Sequence, residues 1–146
     1  MYRALNHEGG KGRTQVKRAL VKQTEIKYGA VDKAVVTVRA TPATLTYTLK
    51  ARGDETNIAW FGGVQRRKGA SAAPWNKRRI FARSFIMPRF GRAFIRTSKS
   101  RLPIRPLYGP NLARELVKDS SAAAWQSGVA NIVARVGHEI GRTLPR

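Results

Sequence analysis

Along residues 14–27, TQVKRALVKQTEIK, the apolar positions fall at helical spacing. Val16, Ala19, Leu20 and Gln23 share one face, and Lys17, Arg18 and Lys22 project elsewhere. Thr14, following the glycines of EGGKG, suits an N-cap, and Tyr28-Gly29 suits the helix end. The period then changes. From Thr44 to Lys50, Leu45, Tyr47 and Leu49 alternate with Thr44, Thr46, Thr48 and Lys50, the pattern of a half-buried strand. The β-branched run Val35–Val38, set apart by Pro42, fits a strand or a short helix. Gly53-Asp54 marks a turn, and Ile58 to Phe61 reads as a returning strand. Ile80 to Met87 and Ala93 to Thr97 read as two more strands around a Pro88–Gly91 turn.

Residues 62–79, GGVQRRKGASAAPWNKRR, show no periodicity and predict a long loop. Loops of that length are commonly functional or disordered, and this one is expected to be flexible before assembly. It carries two basic triplets, Arg66-Arg67-Lys68 and Lys77-Arg78-Arg79.

From Leu112 to Ile140 the pattern is helical again. Leu112 and Leu116 lie on one face, and Trp125, Val129, Ile132, Val136 and Ile140 form a stripe, with Gly128 placed to kink or divide the helix. Ser120 to Ala134 contains no charged residue, which predicts burial in the subunit's own core or against another copy. Between strands and helix lies SRLPIRPLYGPNL, residues 100–112. Pro103 and Pro106 bias Leu102 and Arg105 toward extended backbone, and Gly109 admits a conformation closed to other residues. Either Pro110 takes the first helical position or Asn111 caps it. Arg101, Pro103, Arg105, Pro106, Tyr108, Gly109 and Pro110 therefore read as a rigid structural joint. An anion site at the helix start is the lesser reading, because the glycine-rich turn of a phosphate cradle is missing. The whole predicts an α+β chain with an N-terminal helix, a small antiparallel β-sheet of about four strands with a long basic loop, and a long C-terminal helix. Its 146 residues suit one domain spanning 1–146.

Charge changes the picture most. Against 29 Lys and Arg stand 8 Asp and Glu, a formal net charge of +21, which points to polyanionic or acidic partners. The 59 positions from 56 to 114 hold 14 basic residues and no acidic one. The first 55 residues carry 11 basic and 5 acidic residues, and the last 32 carry 4 and 3. Three readings of Arg66, Arg67, Lys68, Lys77, Arg78 and Arg79 stay open: non-specific contact with DNA phosphates, contact with acidic surfaces of neighbouring proteins, or a solvated loop. Trp75, between the triplets, reads as a core or interface anchor before a base-stacking platform. There is no cysteine, so disulfides and thiolate metal sites are excluded. His7 and His138 stand at opposite ends, with no HExxH and no paired carboxylates, so neither an enzyme nor a cofactor is expected. No apolar run approaches the roughly 20 residues that span a bilayer, and MYRALNHEGG has no secretory apolar segment. A protein made in the cytoplasm, with no membrane partner, is expected.

The run PWNKRRIFARSFIMPRFGRAFIRTSKSRLPIRPLYGPNL resembles the minor tail protein Z family of lambda-like tailed phages and prophages. The matching features are Trp75 with the basic pair after it, FIMP at Phe85 to Pro88, FIRT at Phe94 to Thr97 and RLPI…LYGP at Arg101 to Pro110. RALN at Arg3 to Asn6 and the helix RTQVKRALVKQT also look like the family's opening. The resemblance covers nearly the whole chain. It implies a tail-completion or head–tail joining protein at the head-proximal end of the virion tail. Such proteins form rings around the DNA path, commonly six-fold, and contact other tail and neck proteins. It also implies an α+β subunit with a small sheet packed by helices. On this reading the C-terminal helix and the joint hold identical copies together, and the basic centre contacts neighbours or genomic DNA. The alternative is a basic nucleic-acid-binding protein of ribosomal or nucleoid type. The uncharged stretch Ser120 to Ala134 favours the ring subunit, because a nucleic-acid-coating helix would carry charge on its free face.

Overall fold

The computed structural model describes residues 1–143. The first element, α1, spans Tyr2–Thr24, so it begins well before Thr14 and runs straight through EGGKG. Thr14 is not its N-cap; mid-helix, its hydroxyl donates to the Gly10 carbonyl at 3.2 Å. Glycine inside a helix costs about 1 kcal/mol relative to alanine, and here close packing offsets the cost. A Cβ on Gly128 would lie 2.6 Å from the Cα of Gly12, and one on Gly12 would lie 3.1 Å from the Trp125 ring. The two backbones meet where neither helix has a side chain.

Helix α1 stops at Thr24, where Glu25 turns left-handed with φ 61°. Tyr28-Gly29 does not end it but opens a second helix, α2, Tyr28–Ala34. The fold-back brings Asp32 of α2 onto Lys17. Contrary to the helical-face reading, Lys17 does not project outward but is 1% exposed, its ammonium bonded to the Asp32 carboxylate. Val35–Val38 is strand β1 and pairs antiparallel with β2, Thr48–Ala51. Only the end of the alternating run is therefore a strand. Thr41 and Thr44 close a local turn through their own groups, Thr41 N–H to Thr44 O at 2.9 Å and Thr44 N–H to Thr41 Oγ1 at 3.0 Å, which competes with sheet pairing. Ile58–Trp60 is a 3-10 turn rather than a returning strand, capped by Asn57, whose Oδ1 accepts from the Ala59 N–H at 3.1 Å.

The expected loop at 62–79 instead contains two strands and the start of a third. It contains β3, Val64–Arg66, and β4, Gly69–Ala72, joined by the two-residue turn Arg67–Lys68, then a short turn at Pro74–Asn76 leading into β5, Arg79–Ala82. Periodicity missed these strands because β4, Gly-Ala-Ser-Ala, is buried along its whole length with no large apolar side chain. Ile80 to Met87 is likewise two strands, β5 and β6, Ser84–Met87, hinged at Arg83 with φ 60°. Strand β7, Arg92–Arg96, pairs with β6 and with β8, Ile104–Pro106. The expected single sheet is thus three small antiparallel sheets, ordered β1-β2, β3-β4-β5 and β6-β7-β8. Side chains stitch the last two together: Ser84 Oγ accepts from the Ala70 N–H at 2.9 Å, and Gln65 Oε1 accepts from the Ile86 N–H at 2.9 Å.

The C-terminal region is helical in three segments, α3 (Leu112–Glu115), α4 (Asp119–Val129) and α5 (Ile132–Thr143). The division after Val129 falls one residue past Gly128. The main core joins Val16 and Leu20 of α1 to Val31, Val35, Phe61 and Leu112. Each such side chain contributes roughly 1.5–3 kcal/mol by leaving water. A second, smaller core under the sheets uses Ile58, Ala72 and Ala93.

Candidate nucleic-acid and partner interface

The joint is built as a strand-like seam. Ile58 N–H donates to Leu107 O at 3.1 Å, Leu107 N–H to Ala93 O at 2.9 Å, and Gly109 N–H to Thr56 O at 2.7 Å. Thr56 Oγ1 donates to Pro110 O at 2.6 Å. Asn57 is buried and grips β7 from both sides, donating to Ala93 O at 3.0 Å and accepting from the Ala93 N–H at 2.7 Å. Pro103 follows a cis peptide bond, Arg105 and Pro106 lie in β8, and Pro110 is fully buried. Gly109 is where the seam passes closest to the core, since a Cβ there would lie 3.0 Å from the Phe61 ring. Asn111, not Pro110, caps the following helix, its Oδ1 accepting from Ala113 N–H at 3.0 Å and Arg114 N–H at 3.2 Å. Arg101 and Tyr108 remain exposed.

In the C-terminal stripe, Trp125 and Val129 face their own subunit. Trp125 packs on Gly12 and stacks with Tyr47, ring centroids 6.2 Å apart. Ile132 and Val136 on α5 are half-buried and Ile140 is exposed, while Val133, off the stripe, is 79% exposed. Because α4 ends at Val129, the five residues do not form one rod. Gln23 locks the other end of α4: its Nε2 donates to Glu115 Oε2 at 2.6 Å and its Oε1 accepts from the Ser121 hydroxyl at 2.9 Å.

The two basic triplets are not one cluster. Arg67 and Lys68 turn the β3–β4 hairpin, whereas Arg79 pairs with Ala72 at the far end of β4. Three steps of strand separate the two ends by roughly 10 Å. The second triplet is largely engaged with its own chain. Arg78 donates to Gly62 O at 3.3 Å, and the Arg79 guanidinium stands 5.6 Å from the Trp75 ring centroid and 5.1 Å from that of Phe81. Trp75 is half-buried beneath this arginine, with φ 56°.

The first triplet meets cations that sequence reasoning did not single out. Arg67 and Lys68 line an open depression of about 380 Å³ together with Arg83, Arg96 and Lys99. The pairing Ser84↔Ile95 and the bond from Arg96 N–H to Arg83 O at 3.1 Å make Arg83 and Arg96 cross-strand neighbours. Only the strand register and the packing of one sheet against the other carry that signal, because the contributing residues are spread from 67 to 99 with no common spacing. Among the described residues, no Lys or Arg between positions 66 and 105 takes part in an ion pair. No group of three or more His, Cys, Asp or Glu side chains gathers as a metal site among the described residues. Nor does any described helix have the length and apolarity to cross a membrane.

Comparison with protein-family models, curated proteins and solved structures finds no match.

Proposed function

We propose that the chain is a structural component of a tailed-phage virion, a tail-completion or head–tail joining protein without chemistry of its own. It lies at the head-proximal end of the tail as a ring around the DNA path, six-fold by the resemblance. The observation that carries the reading is the division of the molecule. A helical part satisfies its buried charges internally, and a β part, built from the run that resembles the tail proteins, presents unpaired cations outward. A protein that must hold acidic or phosphate-bearing neighbours needs such a surface and no catalytic group. The helical part supplies the self-contact, with Val133 of α5 and Val117 before α4 (73% exposed) as apolar surface for a second copy.

The test is imaging of intact particles with this subunit labelled, together with Arg66→Ser, Arg67→Ser and Lys68→Ser combined. Density at the upper end of the tail, and a loss of head–tail joining in the triple variant, are expected. A label found away from the tail, or a particle in which the chain occurs as an isolated copy, overturns the reading. A basic protein of ribosomal or nucleoid type is the competing reading. Light scattering separates the two, since a discrete ring favours the virion and a monomer tightly bound to structured RNA favours the rival.

A further inference from the structure

Five cations converge on the open depression between the β3–β4 hairpin, the β5–β6 link and the loop after β7: Arg67, Lys68, Arg83, Arg96 and Lys99. Arg83, in the hinge just before β6, and Arg96, at the end of β7, are joined through their backbones and line the same depression, and neither forms an ion pair among the described residues. Arg83 also adopts φ 60°, a conformation that a non-glycine residue rarely takes. Five like charges gathered without an acid repel one another, and a bound anion supplies the missing countercharge.

We infer that this depression is a binding track for the sugar–phosphate backbone of duplex DNA, read without base specificity. Two observations favour a uniformly charged polymer over an acidic protein. Protein partners anchor on apolar or aromatic groups at the centre of an interface. Here the one aromatic ring in the lining, Phe85, is already engaged, stacked on Phe94 at 6.2 Å between centroids and lying 5.3 Å from the Arg96 guanidinium. The same engagement leaves no open ring for stacking an unpaired base, which sets the site apart from single-strand platforms. What remains is guanidinium and ammonium donors, the groups that contact phosphates irrespective of sequence. The inference deepens the virion reading by naming the partner of its cationic part.

The experiment uses the purified full chain, a short mixed-sequence DNA duplex carrying a fluorophore, and anisotropy across a salt series. With five contacts, affinity is expected to fall about 500-fold between roughly 50 and 200 mM salt. Combining Arg67→Ser, Lys68→Ser, Arg83→Asn, Arg96→Ser and Lys99→Ser is expected to weaken binding by at least about 30-fold at low salt. Asparagine is chosen at 83 because it tolerates the left-handed backbone. A matched variant that removes the same charge from the exposed Arg18, Lys22, Lys27, Lys33 and Arg39 is expected to bind within about 3-fold of wild type, since it leaves the track intact. Equal losses in the two variants would overturn the inference in favour of diffuse attraction. If the five-fold variant does not fold, the exposed single changes Arg67→Ser and Lys99→Ser decide: each is expected to lower the salt slope by about one, and unchanged slopes overturn the track. A polyglutamate of matched charge is expected to bind more weakly than DNA; tighter binding through the same residues overturns the inference and assigns an acidic protein instead. The two readings fail separately. Normal incorporation into particles by a chain that does not bind DNA sinks the track alone, and a track-dependent DNA binder absent from particles sinks the virion reading alone.

Discussion

The helical region carries acids among its cations, and the β region carries almost none. In the first, Lys17 is buried against Asp32, Lys11 and His7 meet Glu8, and Arg135 meets Glu139. In the second, 13 Lys and Arg between positions 66 and 105 have no acid within their own stretch of chain and form no ion pair among the described residues. Burial makes the pairing of Lys17 obligatory. A charge withdrawn from water needs a partner, whereas an exposed one keeps its hydration and stays free for another molecule. The same +21 thus contains a few cations that hold the subunit together and a larger exposed set, to which Arg18, Lys22, Lys27 and Lys33 of the helical region also belong.

The strongest way to break the helical region is steric. Gly128→Val should force α4 off α1 at a cost of about 3 kcal/mol, lowering the melting temperature by roughly 10 °C. Gly137→Val, where a Cβ meets nothing within 4 Å, is the control and should melt close to wild type. Similar melting of the two in calorimetry would mean that the helix contact does not hold the fold.

Next comes the buried ion pair, which predicts an asymmetry. Asp32→Ala leaves an ammonium buried without its partner, while Lys17→Met leaves a half-exposed carboxylate beside Arg13. The first variant should melt lower than the second. Equal melting temperatures would show that Lys17 reaches water, contrary to its burial.

Smaller still is the effect of pH. The Lys17 ammonium holds the Asp32 carboxyl below its ordinary range, and His7, followed by Lys11, does the same for Glu8. A depressed carboxyl pKa contributes stability that is present above the unfolded value and lost as pH falls through the folded one. The melting temperature should therefore stay level above about pH 5 and fall below about pH 4. The double variant Glu8→Gln, Asp32→Asn should flatten that fall, and a slope as steep as wild type would place the acid sensitivity elsewhere.

The smallest stability effect belongs to the β region. Arg66→Ser, Arg67→Ser and Lys68→Ser together should change unfolding by no more than roughly 0.5 kcal/mol each, because these side chains are exposed and unpaired. A large loss in denaturant titration would erase the contrast between the regions, making the hairpin cations structural.

The amino-acid order alone determined the α+β class, the helical character of both ends and the β7 strand, because each rests on local chemistry: apolar spacing and alternation. It also placed the excess charge in the middle of the chain. Where long-range packing outweighed local preference, only the tertiary structure decided. The glycines of EGGKG are helical because Trp125 and Gly128 fill the space beside Gly12. Strands form within residues 62–79 because β4, made of small residues, is buried between two partners. Lys17 is interior because α2 folds back with Asp32. The cationic depression arises in the same way, since its five members come from three separate segments and the packing of one sheet against the other brings them together. Each strand pairs with its neighbour in sequence, but the small residues of β4 show no apolar alternation, and how the separate sheets and helices pack on one another is not written in any one segment.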